Sequence, residues 1–351
     1  MKRYIILLAM LLAIGASAKA QGEKKYSVYA VGFYNLENLF DTCHDAGKND
    51  HEYLPDGSMK WNGMKYSNKL RNMARVLADM GTDLLPSVGC AIIGVSEVEN
   101  AKALTDLTSQ EALASRGYKY CHAEGEDARG IDCALLYNPR LFTVRDMKLL
   151  PYIQTLEKDS AYKTRGFLTV SGTLAGEHVT VIVTHLPSRF NGSFYREQGA
   201  RQIKAIKDSL IQEDPQVKVI VMGDMNDDPM NRSMAVELGG KREISEVGEG
   251  DMYNPWWNTL KSGKGTLFYN GSWNLFDQII LSPSLICRDG KKDYSTLKYL
   301  RHQIFSRDYM FQQEGRYKGT PKRTHAGGVW LNGYSDHLPT IVYLVKQQNK
   351  K

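Results

Sequence analysis

The chain has 351 residues, 42% of them hydrophobic, which is enough for one large domain or two small ones. Its formal net charge of +6 is a weak positive bias that tolerates an anionic substrate without requiring one. Five cysteines with no C-x-x-C spacing argue against zinc-binding and thioredoxin-like roles.

The N-terminus has the pattern of a secretory signal peptide. Lys2 and Arg3 precede an apolar run at 5–14, and residues 18–20 form an A-x-A cleavage site. The apolar run is too short to span a bilayer. We therefore predict a signal peptide at 1–20, a single domain at 21–351, and export to the periplasm or the medium. Removal of the signal peptide lowers the formal net charge to about +3.

The rest of the chain alternates between predicted strands and helices. Apolar positions 70, 73, 74 and 77 fall on one face of a helix, and a second helix is predicted from about 194 to 210. The stretch 239–273 has weak periodicity and is predicted to be a surface excursion. Strands are predicted at 26–34, 91–95, 132–137, 167–173, 178–184, 217–222, 276–281 and 340–345. This order predicts one α/β domain with sheets at the centre and helices outside.

The stretch V-I-V-M-G-D-M-N-D-D-P, at 219–229, begins as a buried strand and ends in oxygen-bearing side chains. The D-x-N-x-D spacing resembles the first half of an EF-hand calcium loop. That loop needs Gly at its sixth position and Glu at its twelfth, where this chain has Pro229 and Ala235. The calcium-loop interpretation therefore fails.

Polar side chains gather in the same way where other predicted strands end. Ligand sites in α/β proteins lie at such sheet edges, so the pattern predicts one shared cleft. The residues are, in chain order, Asn35, Glu37, Glu97, His185, Asp224, Asn226, Asp277, Asp336 and His337.

Each of these residues alone also fits a structural role, such as a turn cap or a hydrogen-bonded core carboxylate. Together they form an oxygen-rich set of the kind that binds hard cations such as Mg²⁺ or Mn²⁺. Carboxylates with two histidines and neutral amides suit hydrolysis of phosphate esters, in which a cation offsets the phosphate charge and a base activates water.

Six motifs resemble the endonuclease/exonuclease/phosphatase superfamily, and they occur in that family's order. They are F-Y-N-L-E-N-L-F-D, G-V-S-E-V-E-N, A-L-L-Y-N-P, T-H-L-P-S, G-D-M-N-D-D-P and S-D-H-L-P. G-D-x-N and S-D-H are the most specific. The resemblance implies a DNase I-like fold, a four-layered α/β sandwich with two packed mixed β-sheets between helical layers.

The resemblance also implies a metal site. Glu37, Glu97 and Asp336 would hold Mg²⁺ or Mn²⁺, and Asn35 would support these ligands. The family more often has Asp where Glu37 stands, so the chain departs from the pattern there. Glu99 is expected to have a structural or indirect role.

The remaining roles implied by the resemblance are catalytic. Asp224 and Asn226 would position the attacking water and the phosphate. His337, paired with Asp277, would act as a general base or as a donor to the scissile phosphate. His185 would contact the phosphate or protonate the leaving oxygen.

A few further residues complete the expectations. Tyr137, at the end of A-L-L-Y, matches a phosphate-contacting tyrosine of the family. Asp228 belongs to the turn before Pro229. Arg129 and Arg189 would either bind substrate phosphates or be solvated surface residues.

The favoured function is an exported, metal-dependent phosphodiesterase, most plausibly a monomeric nuclease with nucleic acid as its partner. A lipid phosphodiesterase or phosphomonoesterase of the same superfamily is the first alternative. The Trp256–Trp257 pair could serve such a role in a membrane interface, could stack bases, or could pack in the core, which is the default. The alternative from another class is a non-catalytic binding protein, against which the near-complete set of site residues argues.

Overall fold

The computed structural model describes residues 25–288 and 290–348, so the predicted signal peptide lies outside the described residues. The strands are β1 (Tyr26–Leu39), β2 (Cys90–Val98), β3 (Lys119–His122), β4 (Asp132–Tyr137), β5 (Phe142–Leu150), β6 (Phe167–Leu174), β7 (Glu177–His185), β8 (Lys218–Asp224), β9 (Gly240–Lys241), β10 (Met252–Tyr253), β11 (Leu267–Tyr269), β12 (Ser272–Asn274), β13 (Asp277–Leu281), β14 (Lys298–Ile304), β15 (His325–Ala326), β16 (Val329–Trp330) and β17 (Thr340–Gln347). The α-helices are α1 (Gly63–Asp79), α2 (Ala101–Thr108), α3 (Glu111–Ala114), α4 (Ser193–Glu213) and α5 (Trp257–Lys261).

Most strands form two large mixed sheets. One has six strands in the order β14-β17-β1-β2-β4-β3, and the other has seven in the order β5-β6-β7-β8-β13-β10-β9. The pairs β1–β2 and β7–β8 are parallel, whereas β4, β13 and β17 run antiparallel to their neighbours β2, β8 and β1. The carboxyl ends of β1, β2, β7 and β8 therefore lie at the same sheet edges as the amino ends of β13 and β17.

Three buried clusters show how the layers stack. The first packs α1–α3 on the outside of the six-stranded sheet and includes Leu70 and Met73. The second lies between the two sheets and includes Phe33 and Met222. The third packs α4 on the outside of the seven-stranded sheet and includes Ile203. The result is the four-layered helix–sheet–sheet–helix sandwich that the motifs implied.

All eight predicted strands are present, and helices occur at both predicted places. The longer strands that were missed are β3, β5 and β14, each of which is the outer strand of its sheet. Outer strands expose one edge and carry polar and charged side chains, so they lack the apolar runs on which the prediction depended.

The prediction for 239–273 is partly wrong. This segment contributes β9 and β10, which extend the seven-stranded sheet. Trp256 is fully buried, and its indole Nε1 donates a hydrogen bond of 2.9 Å to the Ile279 carbonyl. Core packing is therefore confirmed for Trp256, and the Trp256–Trp257 pair does not form an exposed membrane anchor.

Two further observations concern the cysteines and the length of the helices. All five cysteines are free in the described structure, three of them buried. Within residues 25–288 and 290–348, no helix is long and apolar enough to cross a membrane.

Candidate active site

Three candidate residues form one line across the seven-stranded sheet. His185 lies directly opposite Asp224 in the parallel pairing of β7 and β8. Asp277 lies directly opposite Asp224 in the antiparallel pairing of β8 and β13. Because residues in register on adjacent strands are about 5 Å apart, the backbone itself holds these side chains together.

The six-stranded sheet supplies a second group facing the first. Asn35 pairs in register with Ser96, the residue before Glu97. The Asn35 side-chain amide donates to Glu97 Oε1 at 3.3 Å and to Asp224 Oδ2 at 3.0 Å. Asn35 thus connects the two sheets. Its Oδ1 accepts the Glu37 backbone N–H at 2.8 Å, so Asn35 orients the acidic residues, the supporting role expected for it.

Several site residues have a left-handed backbone conformation. The φ angles are +48° at Glu37, +56° at Asn38, +60° at Glu97 and +50° at Asn226. Such angles are uncommon outside glycine and concentrate at functional sites, where the surrounding structure maintains them. In this turn the Asn38 N–H donates to Glu97 Oε2 at 2.9 Å, which fixes the second oxygen of that carboxylate.

The segment before β17 brings a histidine to the same place. Ser335 Oγ donates to the Asn35 carbonyl at 2.8 Å and accepts the His337 N–H at 3.1 Å. His337 Nδ1 lies 2.7 Å from Asp277 Oδ2, and both side chains are buried. The paired histidine and carboxylate expected from the motifs are thus in direct contact, although they are sixty residues apart in the chain.

The two histidines of the site have opposite charge preferences. Burial disfavours charge on His337, but Asp277 and Asp224 outweigh that effect and raise its pKa well above the ordinary value. Burial lowers the pKa of His185 well below the ordinary value, and the nearby Arg165 adds to the effect. His337 is therefore a protonated donor at neutral pH, whereas His185 is neutral and is poorly suited to protonate a leaving oxygen.

Asp224 is the central carboxylate. Its Oδ2 lies 3.5 Å from His185 Nε2 and 3.8 Å from His337 Nε2. Its Oδ1 accepts the Asn226 backbone N–H at 2.9 Å, while the Asn226 side-chain amide donates to the Leu186 carbonyl. Burial raises the pKa of Asp224 to about 7, and Asp277 and Glu97 also contribute to the increase. A carboxylate with this pKa suits proton transfer at neutral pH.

The donor atoms fit a hard divalent cation. Glu97 and Asp224 border the same cleft, and their oxygens are close enough for Glu97 to raise the pKa of Asp224. Asp336 is nearby, with its Oδ1 at 3.9 Å from His337 Nε2. Crowded carboxylates without thiolates are the ligand set that Mg²⁺ or Mn²⁺ prefers. Glu97, with Asp224 beside it, would hold such an ion, whereas Asp336 Oδ2 accepts a hydrogen bond from Arg323 Nη2 at 2.7 Å.

Glu37 does not fit the role of a free metal ligand. Its Oε1 accepts from Arg323 Nε at 3.2 Å, and its Oε2 accepts the Thr324 N–H at 2.6 Å. Both carboxylate oxygens are therefore engaged with protein donors. The longer side chain of Glu, where the family more often has Asp, reaches past the turn to this neighbouring segment.

Tyr137 was assigned to the site wrongly. Because β4 is antiparallel to β2, Tyr137 pairs with Ile92 near the start of β2, whereas Asp132 pairs with Val98 near its end. Five residues separate Ile92 from Glu97, which places Tyr137 about 16 Å along the sheet from the metal site. The motif was recognised, but the direction of its strand was not.

Sequence reasoning missed Arg165 and Asp127. Arg165 Nη1 donates to Asp127 Oδ2 at 2.7 Å, both residues are buried, and both line the cleft beside His185. Arg165 precedes β6 at its amino end, so no predicted strand ended there to indicate it. The Asp127 loop lies between β3 and β4 and has no periodic pattern.

The structure gives the positions and contacts of four remaining residues. Arg129 is half-exposed and lines the cleft, as a substrate-binding arginine would. Arg189 is held by the Asn226 carbonyl and by Asp228, so it is a structural residue. Asp228 also accepts the Leu275 N–H, in keeping with its turn role. Glu99 is buried and accepts the Asp41 N–H at 2.6 Å, also a structural contact.

These side chains border a cleft of about 350 Å³ that includes Glu97, His185, Asp224, Asn226 and His337. Three basic residues, Arg129, Lys163 and Arg165, also line it. The cleft therefore brings acidic, imidazole and basic groups to one small volume, where they can act on an anionic ester.

The sequence matches the Endonuclease/Exonuclease/phosphatase family over residues 30–346, so the chain belongs to that family. Solved structures share its fold at low sequence identity. An endonuclease/exonuclease/phosphatase family protein from Bacteroides thetaiotaomicron is 17% identical, with a TM-score of 0.55 over 94% of this chain and 100% of that one. No curated protein sequence matches the chain.

Two further similar structures have names that state an activity or a ligand. A mannosyl-6-phosphatase of Bacteroides thetaiotaomicron is 17% identical, with a TM-score of 0.54 over 90% of this chain and 99% of that one. Danio rerio TDP2, complexed with a single-strand DNA product, is 14% identical, with a TM-score of 0.52 over 91% of this chain and 99% of that one. At these identities the similarity establishes the fold, and it leaves the substrate open.

Proposed function

We propose that the protein is a divalent-metal-dependent phosphodiesterase, exported from the cell, that acts on nucleic acid. The observation that carries the proposal is the line of His185, Asp224 and Asp277 across three strands, with His337 and Glu97 facing it in one cleft. Buried titratable groups with perturbed pKa values that border one cleft, here Asp224 and His337, are typical of catalytic sites.

The residues divide the chemistry between them. Bound Mg²⁺ or Mn²⁺ at Glu97 would offset the negative charge of the phosphate and polarise its oxygens. Asp224, whose Oδ1 is fixed by the Asn226 N–H, would accept a proton from the attacking water. His337, oriented through Nδ1 by Asp277, would donate from Nε2 to a non-bridging phosphate oxygen as negative charge develops there.

The surroundings of the cleft favour an extended diester substrate. A groove of about 900 Å³ adjoins Asp336 and is lined by Tyr269, Arg316 and Tyr317. Both tyrosines are more than half exposed. Exposed aromatic rings beside arginines suit the stacking of bases and contacts to phosphates along a single strand.

An activity panel on the mature protein tests the proposal. The substrates are single-stranded DNA, plasmid DNA, RNA, sphingomyelin and bis-p-nitrophenyl phosphate, each with Mg²⁺, with Mn²⁺ or with EDTA. We expect cleavage of nucleic acid that EDTA abolishes and that Asp224→Asn reduces strongly, with Tyr137→Phe as the matched control outside the cleft. Metal-independent cleavage, or equal activity of Asp224→Asn, would contradict the proposal.

A phosphomonoesterase acting on a sugar phosphate is the second candidate. It is supported by the shared fold of the Bacteroides mannosyl-6-phosphatase and by the basic residues that line the small cleft, Arg129, Lys163 and Arg165. Release of phosphate from mannose 6-phosphate, without cleavage of any diester in the panel, would favour this candidate.

Binding measurements separate the two candidates independently of turnover. Affinity for a noncleavable oligonucleotide should fall steeply as salt rises, because backbone contacts by Lys and Arg release counterions. Affinity that stays flat between low and high salt would indicate a small phosphoester instead.

Export is a separate part of the proposal. Cleavage after Ala20 would leave Gln21 as the first residue of the mature protein. N-terminal sequencing of protein recovered from the periplasm or the medium tests this. A product that stays in the cytoplasm with residues 1–20 intact would rule it out.

A further inference from the structure

Arg323 bridges two of the acidic residues that were expected to hold metal. Its Nε donates to Glu37 Oε1 at 3.2 Å, and its Nη2 donates to Asp336 Oδ2 at 2.7 Å. A guanidinium can bind two carboxylates at once because its donors form a fixed planar fork. The space between Glu37 and Asp336 therefore already contains a cation that belongs to the protein.

We propose that Arg323 is a resident cation that excludes a second divalent ion from the Glu37–Asp336 side, so that the active site binds a single ion, at Glu97. This inference rests on the proposed metal-dependent function and specifies how many ions that function uses. It identifies a residue outside the recognised motifs as the determinant of metal stoichiometry.

The backbone that carries Arg323 is firmly anchored. The next residue, Thr324, donates its N–H to Glu37 Oε2 at 2.6 Å, and its carbonyl accepts the Leu331 N–H at 2.9 Å. The buried Lys69 Nζ donates to Thr324 Oγ1 and to the Tyr334 carbonyl, both at 2.6 Å. Arg323 is therefore held between Glu37 and Asp336 by the fold around it.

Gly333 packs closely against the backbone of Lys322 and Arg323. A Cβ on Gly333 would lie 2.1 Å from the Lys322 carbonyl oxygen and 2.2 Å from the Arg323 carbonyl oxygen. Only glycine allows such a close approach of two backbone segments. This packing fixes the position of the Arg323 carbonyl and limits how far the backbone of Arg323 can move.

The ion pairs of Arg323 agree with a single divalent ion. Its guanidinium contacts both Glu37 and Asp336 and so supplies positive charge to both carboxylates. A second ion beside Arg323 would leave a local excess of positive charge and would have to displace a guanidinium from two ion pairs.

The contacts of Glu37 and Glu97 also support a single ion bound at Glu97. Both oxygens of Glu37 are engaged with Arg323 and Thr324, and Glu37 is buried. Among residues 25–288 and 290–348, the oxygens of Glu97 accept hydrogen bonds from Asn35 and Asn38 alone, and its side chain is 15% exposed. Glu97 is therefore open to an ion from the cleft, whereas Glu37 is closed.

Manganese stoichiometry, measured by equilibrium titration with detection of free Mn²⁺ by electron paramagnetic resonance, tests the proposal without substrate. We expect Glu97→Gln to remove one ion from the wild-type total. Arg323→Met keeps much of the side-chain volume without the charge, and it should add one ion. Arg323→Lys keeps the charge and should leave the total unchanged. The matched control is Arg129→Met, at another half-exposed cleft arginine, which should also leave the total unchanged.

A double variant identifies where the additional ion binds. Glu37→Gln in the Arg323→Met background removes the carboxylate and should return the total to the wild-type value. An Arg323→Met protein that gains no ion would overturn the proposal. A wild-type protein that loses two ions on Glu97→Gln would also overturn it, and this result does not depend on whether Arg323→Met folds. A wild-type protein that binds no Mn²⁺ in the cleft would instead refute the metal-dependent function itself.

Discussion

The two sheets contribute to one cleft in different ways. In the seven-stranded sheet, His185, Asp224 and Asp277 stand in register on adjacent strands, so their spacing is set by backbone hydrogen bonds. In the six-stranded sheet, Glu37 leaves β1 through a left-handed turn and finds its partners in the distant segment that carries Arg323. We call the first group the register-held side, because strand pairing sets its geometry. We call the second the turn-and-loop side, because contacts between a turn and a loop set its geometry.

This difference corresponds to a difference in chemistry. Under the proposed function, the register-held side would supply the proton acceptor Asp224 and the carboxylate that orients His337, and both require fixed distances. The turn-and-loop side would supply groups that interact with cations, and these interactions act over longer distances and tolerate variation in geometry. A family with this fold could therefore change its metal use through a loop such as 322–334 without altering the strands that hold Asp224 and Asp277.

The largest expected effect concerns His337 and Asp277, a pair that joins the segment before β17 to the register-held side. His337→Ala should lower kcat by about 10²–10⁴-fold, because a positioned acid–base group is lost. Asp277→Asn should lose much of the same rate, since it no longer holds Nδ1 or favours the imidazolium. The double variant should be little worse than the worse single one, because the two residues act as a unit.

Steady-state kinetics on all three variants checks this prediction after circular dichroism has shown that they fold. Losses that multiply in the double variant would mean that the two residues act independently. In that case the fold would bring them together without a shared catalytic role.

The next effect concerns the cation-handling side. Glu97→Gln keeps the shape of the side chain and removes its charge, so affinity for Mg²⁺ should fall by about tenfold or more. Isothermal titration calorimetry on folded protein measures this directly. The matched variant is Glu99→Gln, whose carboxylate is buried against the Asp41 N–H, and its Mg²⁺ affinity should stay unchanged. Equal affinity in wild type and Glu97→Gln would remove Glu97 from the metal site.

The third expected effect is on the pH dependence of stability, to which Glu37 on one side and Asp224 on the other both contribute. Burial raises the pKa of both Glu37 and Asp224 to about 7, above the values in the unfolded chain. Between about pH 4.5 and pH 7 these two groups therefore bind more protons in the folded metal-free protein than in the unfolded chain, and their contribution to stability falls as pH rises through this window. Each group contributes up to about 3 kcal/mol to this loss.

Urea unfolding of EDTA-treated protein at pH 5 and pH 7.5 tests the third prediction. Glu37→Gln and Asp224→Asn should each reduce the difference in unfolding free energy between the two pH values. Saturating Mg²⁺ at pH 7.5 should restore stability to the wild type, because bound ion favours the ionised carboxylates. If the unfolding free energy of the wild type changes between the two pH values by the same amount as that of both variants, the assignment is contradicted.

The sequence predicted the residues that lie at strand ends on both sides of the cleft and missed those in a loop, on a helix face or just before a strand. The apolar run of a strand such as 217–222 stops where the strand ends, so the polar residues after it could be placed at a sheet edge. Asn35, Glu97, His185, Asp224, Asn226, Asp277 and His337 all reached one cleft in this way. Arg323, Lys69 and Arg165 gave no such signal, because a loop, a helix face and the residue before a strand do not indicate which partner they will meet.

The direction of each strand also could not be predicted from the sequence. A run of alternating or apolar residues predicts a strand but not whether it runs parallel or antiparallel to its neighbour. Asp132 and Tyr137 lie at opposite ends of β4, and only the pairing of β4 with β2 decides which of the two faces the cleft. The prediction chose the wrong end because the tyrosine was judged by its motif alone.

The smallest expected effect tests the position of Tyr137, and with it the division of the cleft between the two sheets. Tyr137 lies at the amino end of β2, and its ring packs edge-on against Phe142 at 6.0 Å between centroids. Tyr137→Phe keeps the ring and removes only the hydroxyl, so kcat, KM and Mg²⁺ affinity should all stay at the wild-type values. The comparison variant is Asn226→Ala, at the carboxyl end of β8, which should lower kcat because the Asn226 amide fixes the Leu186 carbonyl beside the catalytic strands. A loss of kcat in Tyr137→Phe comparable with that in Asn226→Ala would mean that the hydroxyl reaches substrate. The pairing of β4 with β2 would then have to be different, and with it the division of the cleft between the two sheets.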